Sequence, residues 1–121
     1  MQIRKSIGLV LLCLFALSAR ADITHIALVW LSDSAPEDAA ETMIEAATTL
    51  SQIPGVHDLN VGYALSSERD IVDDSFAVGI SIRFRSQESL EAYLIHPLHI
   101  DYVARHIKPY SSRLQVYDIA H

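Results

Sequence analysis

The order of strand-like and helical patterns is the feature that most constrains how this chain can fold. Apolar residues alternate with small or polar ones over residues 76–84, which is typical of a strand with one packed side. Residues 23–31 are apolar on both alternate sets, which is typical of a strand covered on both faces. Two helical patterns separate the strand-like runs and give the order βαββαβ. This order predicts an α+β, ferredoxin-like fold, with a four-stranded antiparallel sheet and two helices on one face. The predicted strands are residues 23–31, 56–65, 76–84 and 113–119, and the stripe on the third consists of Phe76, Val78, Ile80, Ile82 and Phe84.

The first helix has start and stop signals on both sides of its apolar pattern. Ser34 is predicted to be its N-cap, with Pro36 in the first turn and Glu37 completing a capping box. The Pro54-Gly55 pair is predicted to end it. The helix therefore follows directly on the first strand.

Two helices cover only one face of such a sheet, although the first strand is apolar on both sides. The last strand also provides apolar residues, namely Leu114, Val116 and Tyr117. The sheet face without helices is therefore partly apolar, and a second copy related by a two-fold axis is the commonest cover for an apolar face. We therefore expect a homodimer in which two sheets face each other.

The N-terminus has the three parts of a secretory signal peptide. Arg4 and Lys5 precede an apolar run over residues 7–17, and Ala19-Arg20-Ala21 forms a small-residue cleavage site. The run is short for a membrane span, so an uncleaved anchor is the alternative. We predict a signal peptide over residues 1–21, a single domain over residues 22–121, and a periplasmic or secreted protein without membrane contact after cleavage.

Charge and cysteine content narrow the range of partners. The whole chain has a net charge of −6, and loss of residues 1–21 leaves six basic and fifteen acidic residues, a net charge of about −9. This balance argues against nucleic acid or an anionic membrane as partner. The only cysteine, Cys13, leaves with the signal peptide. No cysteine-based metal site or disulfide is then possible.

The densest polar cluster lies in the second helical region, which Ser86 is predicted to cap. Tyr93, His96 and His99 fall within seven positions, and Pro97 breaks the helix between the two histidines. Because this break disturbs the helical phase, the spacing does not decide which histidine faces inward. Capping of the following turn is an alternative role, more for His96 than for His99. We expect no metal here, since only one carboxylate is nearby in the sequence.

Three separated motifs resemble the stress-responsive α/β-barrel (Dabb) domain family. They are the strand pattern HIALVW over residues 25–30, the turn IPGV over 53–56 followed by Val61-Gly62, and YLIHPLH over 93–99. The resemblance implies a ferredoxin-like subunit and a dimeric α+β barrel. The family includes plant heat-stable and boiling-stable proteins, and also olivetolic acid cyclase, which closes a polyketide by aldol condensation.

The resemblance to the cyclase also implies residue roles. Its catalytic histidine falls on His99, its partner tyrosine on Tyr93 and its first-strand histidine on His25. A further pocket histidine of the cyclase falls at residues 76–78, where this chain has none. A neutral imidazole can take a proton next to a carbonyl, and a tyrosine hydroxyl can donate to the oxygen that becomes negative.

Two functional hypotheses follow, and neither requires a cofactor. The first is a stress-associated, dimeric binding protein that holds a small apolar or aromatic ligand in its barrel cavity. The alternative is a cofactor-independent lyase or cyclase acting on a small carbonyl compound, with His99 as general base and Tyr93 as hydrogen-bond donor. A purely structural oligomer is a third possibility. The predicted ligand-binding residues are His25, His96, Trp30 and Phe76.

Overall fold

A computed structural model describes residues 21–121 and has the predicted element order, with four strands and three helices. The helices are α1 (Ala39–Ala47), α2 (Gln87–Leu94) and α3 (Pro97–Tyr102); a 3₁₀ helix (Thr48–Gln52) continues α1 and a π-helical turn (Val103–Ile107) continues α3. The strands are β1 (Ile23–Leu31), β2 (His57–Tyr63), β3 (Val78–Phe84) and β4 (Ser111–Ala120). They form one antiparallel sheet in the order β2-β3-β1-β4. The predicted ferredoxin-like α+β fold is confirmed.

The predicted signal peptide lies outside the described residues except for Ala21, which is exposed and precedes β1. Within the described residues, no helix is long and apolar enough to cross a membrane.

The hydrophobic core lies between one face of the sheet and the helices. Val29 from β1 and Ile82 from β3 are fully buried there, against Met43 of α1 and Leu50 of the 3₁₀ helix. Alternation puts every second residue of these strands on the core side. We call this side of the sheet the helix face and the opposite side the open face.

The first helix starts later than the sequence predicted. Its N-cap is Asp38, without a side-chain capping bond, and the Ser34 hydroxyl contacts the Ser32 hydroxyl instead. The prediction of a capping box at Ser34 and Glu37 is therefore wrong. The backbone N–H of Ala35 donates to the Ser32 carbonyl, so this segment forms a turn before the helix begins. The real cap lies four positions after the predicted one.

Phe76 also departs from its predicted place. β3 begins only at Val78, so the strand alternation does not extend back to Phe76. Its ring lies on the open face, 6.2 Å from the Trp30 ring, and a Cβ on Gly79 would come within 3.2 Å of it. The missing side chain of Gly79 thus leaves room for Phe76. The predicted apolar stripe is correct for the other four residues, which are buried on the helix face.

The open face of the sheet is covered by no helix of the described chain. It presents Ile26, Leu28 and Trp30 of β1 beside Tyr117 and Ile119 of β4, which are about half exposed. The Arg113 guanidinium lies 4.3 Å from the Trp30 ring centroid. This face is apolar and partly exposed.

Candidate functional site

A cavity of about 240 Å³ lies between the helix face of the sheet and the second helical region. One part of its wall holds three polar rings, those of His25, Tyr93 and His99. Apart from the Tyr102 ring, the rest is apolar and consists mainly of Ala27, Val29, Ile80, Val103, Ile107, Leu114 and Val116. Among residues 21–121, no carboxylate, lysine or arginine lines it. The site is therefore a small apolar chamber with one polar wall.

The break between α2 and α3 puts Tyr93 and His99 side by side. Tyr93 lies in the last turn of α2, and the chain turns at His96 before Pro97 starts α3. The two rings face the sheet with their centroids 4.5 Å apart. The helix break is therefore what brings together two residues that are six positions apart.

His99 is held as a neutral imidazole with its reactive nitrogen available. Its Nδ1 lies 3.0 Å from the Leu94 carbonyl oxygen, which can only accept, so Nδ1 carries the proton. Burial lowers the pKa of His99 below its ordinary 6.5; the Leu94 carbonyl partly offsets this, and His25 lowers it further. At neutral pH, Nε2 therefore has a free lone pair and can accept a proton.

Tyr93 is a buried, neutral hydrogen-bond donor. Its side chain is 3 % exposed, and its ring also packs against Phe84 with centroids 5.1 Å apart. Burial raises the pKa of the Tyr93 hydroxyl well above its ordinary value, so this group keeps its proton. Tyr102 also lines the cavity, but its hydroxyl donates to the Met43 carbonyl at 2.9 Å. Tyr93 is therefore the tyrosine that can serve a ligand.

His25 enters the cavity from the third residue of β1 and has a carboxylate behind it. Its Nδ1 lies 2.6 Å from Oδ1 of Asp118, the residue directly opposite on β4. The sequence did not indicate this partner, because the pairing register of the first and last strands cannot be read from spacing. The available signal was an acidic residue that interrupts the apolar alternate set of the last strand, after Leu114 and Val116.

The six predicted site residues fall in three places. His25, Tyr93 and His99 meet in the cavity. His96 does not line it; its Nδ1 accepts from the Leu98 backbone N–H at 3.1 Å and caps α3, the alternative role foreseen from the sequence. Trp30 and Phe76 lie together on the open face, on the other side of the sheet. Any ligand contact they make would belong to a different surface.

Metal ligands do not gather around the cavity. From Ala21 to the C-terminus, no group of three or more histidine, cysteine or acidic side chains is placed to hold a metal ion. What the wall provides is one base, one neutral donor and one imidazole paired with a carboxylate.

Comparisons with known proteins agree on family and fold. The model of the Stress responsive A/B Barrel Domain family matches residues 23–121. A search of curated proteins gave no match. Among solved structures, a dimeric ferredoxin-like protein of unknown function from Thermobifida fusca superposes with a TM-score of 0.71 at 23% identity, covering 84% of this chain and 92% of that one.

Two further structures have the same fold. A Dabb family protein from Mesorhizobium loti superposes with a TM-score of 0.66 at 22% identity, covering 83% of this chain and 96% of its own. A hydroxynitrile lyase from Passiflora edulis superposes with a TM-score of 0.70 at 16% identity, covering 83% of this chain and 92% of its own. At these identities the similarity establishes the fold alone.

Proposed function

The chain belongs to the stress responsive A/B barrel domain family, and from this premise we propose that it binds a small, mostly apolar molecule in the cavity between its sheet and its helices. The observation that carries the proposal is the convergence of His25, Tyr93 and His99 on one wall of an otherwise apolar chamber. Pockets that combine an apolar lining with a few convergent polar groups are the usual form of a small-molecule site. A role during stress is part of the proposal and rests on the family's description.

The volume of the cavity and the side chains that line it indicate which class of ligand it can hold. A volume of about 240 Å³ is below the ~300 to 1,000 Å³ of pockets for drug-sized ligands. The part of the chain that the structure describes puts no carboxylate, lysine or arginine in the wall to neutralise a charged ligand, and burying an unpaired charge is costly. We infer a neutral ligand with one oxygen function, such as a small ketone or aldehyde, whose oxygen contacts the polar wall.

Ligand titration into the wild-type protein and into a variant with a filled cavity tests the binding proposal. Acetophenone and small aliphatic ketones are titrated into the protein while thermal unfolding is followed. A ligand at about 100 times its Kd stabilises the folded state by about 2.7 kcal/mol. Ala27→Leu places extra carbon atoms in the cavity and should abolish this stabilisation, whereas Ala92→Leu on the exposed side of α2 should retain it. Equal stabilisation of both variants would contradict the proposal.

The second candidate function is a cofactor-independent lyase or cyclase. It is favoured by the state of His99. The Nδ1 proton is held by the Leu94 carbonyl, which leaves Nε2 as the proton acceptor, and the ring lies against the Tyr93 ring with centroids 4.5 Å apart. The hydroxynitrile lyase from Passiflora edulis has the same fold, so this fold is compatible with lyase chemistry.

The proton transfer can be written with this chain's own residues. His99 Nε2 takes a proton from the carbon next to a carbonyl, and the C–H electron pair becomes the enolate. The Tyr93 hydroxyl donates a hydrogen bond to the enolate oxygen. In an aldol closure the enolate carbon then attacks a second carbonyl of the same molecule, and the new alkoxide takes back the proton from His99.

Deuterium exchange tests the first of these steps without knowledge of the natural substrate. Acetophenone is incubated with the protein in D₂O, and NMR follows deuterium entering the methyl group next to the carbonyl. His99→Ala should slow the protein-dependent exchange by about 100-fold or more, as expected for loss of a general base. His57→Ala, at an exposed position on β2, is the control. Exchange that is equally fast in His99→Ala would exclude His99 as the base.

We also propose that the open face is the interface of a homodimer. Its apolar residues of β4, Tyr117 and Ile119, are about half exposed, those of β1 are partly exposed, and Phe76 extends this surface beside Trp30. The Thermobifida fusca protein and similar proteins from Bacteroides fragilis and Jannaschia are described as dimeric. A two-fold pairing through this face would build the α+β barrel from two sheets.

Export from the cytoplasm, to the periplasm or the medium, is proposed from the N-terminal 21 residues. Their basic start, apolar run and Ala-Arg-Ala ending support cleavage after Ala21. N-terminal sequencing of the protein isolated from its native cells should therefore read Asp22 first. A chain that still begins within residues 1–20 would exclude this cleavage.

A further inference from the structure

A hollow of about 380 Å³ lies on the open face, over strands β2 and β3. Gly62 and Gly79, which are directly opposite each other in the β2–β3 ladder, form part of its floor. A Cβ on Gly62 would meet no atom of residues 21–121 within 4 Å. Asn60 and Ser81, also directly opposite each other, form the adjoining part of the floor. This half of the open face therefore has small side chains and room above them.

The other half of the open face, over β1 and β4, has large side chains in the same rows. Ser81 lies opposite Ile26 of β1, and Gly79 lies opposite Leu28. Ile26 in turn lies opposite Tyr117 of β4, which is 52 % exposed. The boundary between the hollow and the large side chains thus runs between β3 and β1, parallel to the strands.

A second copy can pack on this face in two aligned ways, and only one of them fills the hollow. Aligned sheets keep their strand directions within about 30° of each other, so the two-fold axis runs nearly across the strands or nearly along them. An axis across the strands puts β4 on β4 and β2 on β2, so that large side chains meet large ones and hollow faces hollow. An axis along the strands puts β4 on β2 and β1 on β3, so that the large side chains of each copy enter the hollow of the other. Because the core of a stable interface is packed as densely as a protein interior, the second arrangement is favoured.

Tyr117 is the side chain that this arrangement brings to the hollow. An axis along the strands keeps each residue at its own height in the sheet, so Tyr117 of one copy meets the row of Asn60 and Ser81 in the other. A buried tyrosine hydroxyl needs a hydrogen-bond partner, and the Asn60 amide and the Ser81 hydroxyl are polar groups of the hollow. Gly62, beside this row, leaves room for the ring.

We propose, on the basis of the homodimer proposed above, that the hollow over Gly62 and Gly79 is the binding site for Tyr117 of a second copy and that the two-fold axis runs along the strands. Each dimer then contains two such contacts, one on each side of the axis. The tyrosine occupies space that would otherwise stay open between the two sheets.

Thiol cross-linking between two co-expressed variants tests which strands meet. All chains carry Cys13→Ser, so that the introduced cysteines are the only ones. Facing sheets lie about 10 Å apart, which is too far for a disulfide, so a short reagent such as bismaleimidoethane joins the thiols. Tyr117→Cys with Asn60→Cys should give a cross-linked dimer, whereas each variant alone should not. Tyr117→Cys with Glu41→Cys, at an exposed position on α1, is the control and should stay uncross-linked.

A size exchange tests the contact itself and uses no cysteine. Gly62→Leu fills the hollow without meeting its own chain, and Tyr117→Ala removes the ring. Each should weaken the dimer by about tenfold or more, as measured by sedimentation. The double variant should form a tighter dimer than the product of the two single losses predicts, because the leucine then occupies the space of the missing ring.

The outcomes distinguish the failure of this contact from the failure of the homodimer. A wild-type protein that is a monomer would overturn both. A wild-type dimer in which Tyr117→Cys cross-links to itself, or in which the losses of Gly62→Leu and Tyr117→Ala are independent, would overturn the Tyr117 contact and leave the homodimer intact.

Discussion

The chemistry of the cavity depends on which group contacts the Nδ1 nitrogen of each histidine. The Nδ1 of His99 donates to the Leu94 backbone carbonyl, whereas the Nδ1 of His25 lies 2.6 Å from Oδ1 of the Asp118 carboxylate. Tyr93 lies between them, and its raised pKa keeps its hydroxyl protonated. At neutral pH the cavity wall therefore holds a proton acceptor at His99 and a hydrogen-bond donor at Tyr93.

The lowered pKa of His99 predicts how the stability of the protein depends on pH. In the unfolded chain the group titrates near its ordinary 6.5, whereas in the folded protein it titrates lower because burial disfavours the charged form. Between the two values the unfolded chain binds more protons, so stability falls as the pH drops below about 6.5. Above 6.5 both states are neutral and the effect vanishes.

Urea unfolding from pH 7 to pH 5 measures this effect. The free energy of unfolding should decrease more in the wild type than in His99→Gln, while His57→Gln at an exposed site should follow the wild type. Parallel curves for wild type and His99→Gln would mean that the folded protein does not disfavour the charged imidazole.

Some site residues were predictable from the sequence, and others were not. Tyr93 and His99 were expected because a tyrosine and a histidine flank a helix break, and because the motif resembles that of a known family. The choice between His96 and His99 depends on the angle that Pro97 imposes, which spacing does not reveal. Asp118 depends on strand register, a long-range property. Trp30 and His25 share a strand but face opposite sides, and only the structure shows which face holds the cavity.

Among the elements, the junction of α2 and α3 decides the geometry of the site. α2 ends at Leu94, and His96 caps α3, with its Nδ1 accepting from the Leu98 N–H at 3.1 Å. Pro97 occupies the first position of α3, where its missing N–H has no cost. This junction fixes the angle at which Tyr93 and His99 meet.

Removal of the cap should cost stability without removing the ligand site. His96→Ala is expected to lower the free energy of unfolding by about 1 kcal/mol, whereas His96→Asn retains a side-chain acceptor and should stay close to wild type. Chemical denaturation measures the stability, and acetophenone titration under folding conditions measures the affinity. A loss of affinity in His96→Asn at unchanged stability would make His96 a ligand contact after all, as the sequence suggested.

The elements themselves were largely readable from local patterns, since both strand alternation and the Ser86 cap act over a few residues. The hydroxyl of Ser86 accepts from the Ser89 N–H at 3.2 Å, as predicted. The start of α1 was not readable, because Ser34 and Asp38 are both good caps and the turn at Ser32 to Ala35 decides between them. The predicted position of Phe76 was wrong for a similar reason, since β3 starts at Val78, two residues after the start of the alternating sequence pattern.

In the whole molecule, the two faces of the sheet have different roles. The helix face holds the core and the cavity, and the open face is the proposed dimer interface.

Leu28→Asp puts a charge in the middle of the open face and should convert the dimer to a monomer, as measured by sedimentation velocity. Ile71→Asp makes the same change at a loop residue that is 91% exposed, and should leave the dimer intact. A wild-type protein that sediments as a monomer at micromolar concentration would contradict the interface.

The location of a bound ligand is the most direct test of the central claim, because an α+β barrel offers a second space between its two sheets. Intermolecular NOEs are measured between bound acetophenone and the assigned methyl groups of the protein. We expect NOEs to Ala27 and Val103, which line the cavity on the helix face. NOEs to Ile26 and Leu28 instead would put the ligand on the open face, beside Trp30 and Phe76, and would contradict it.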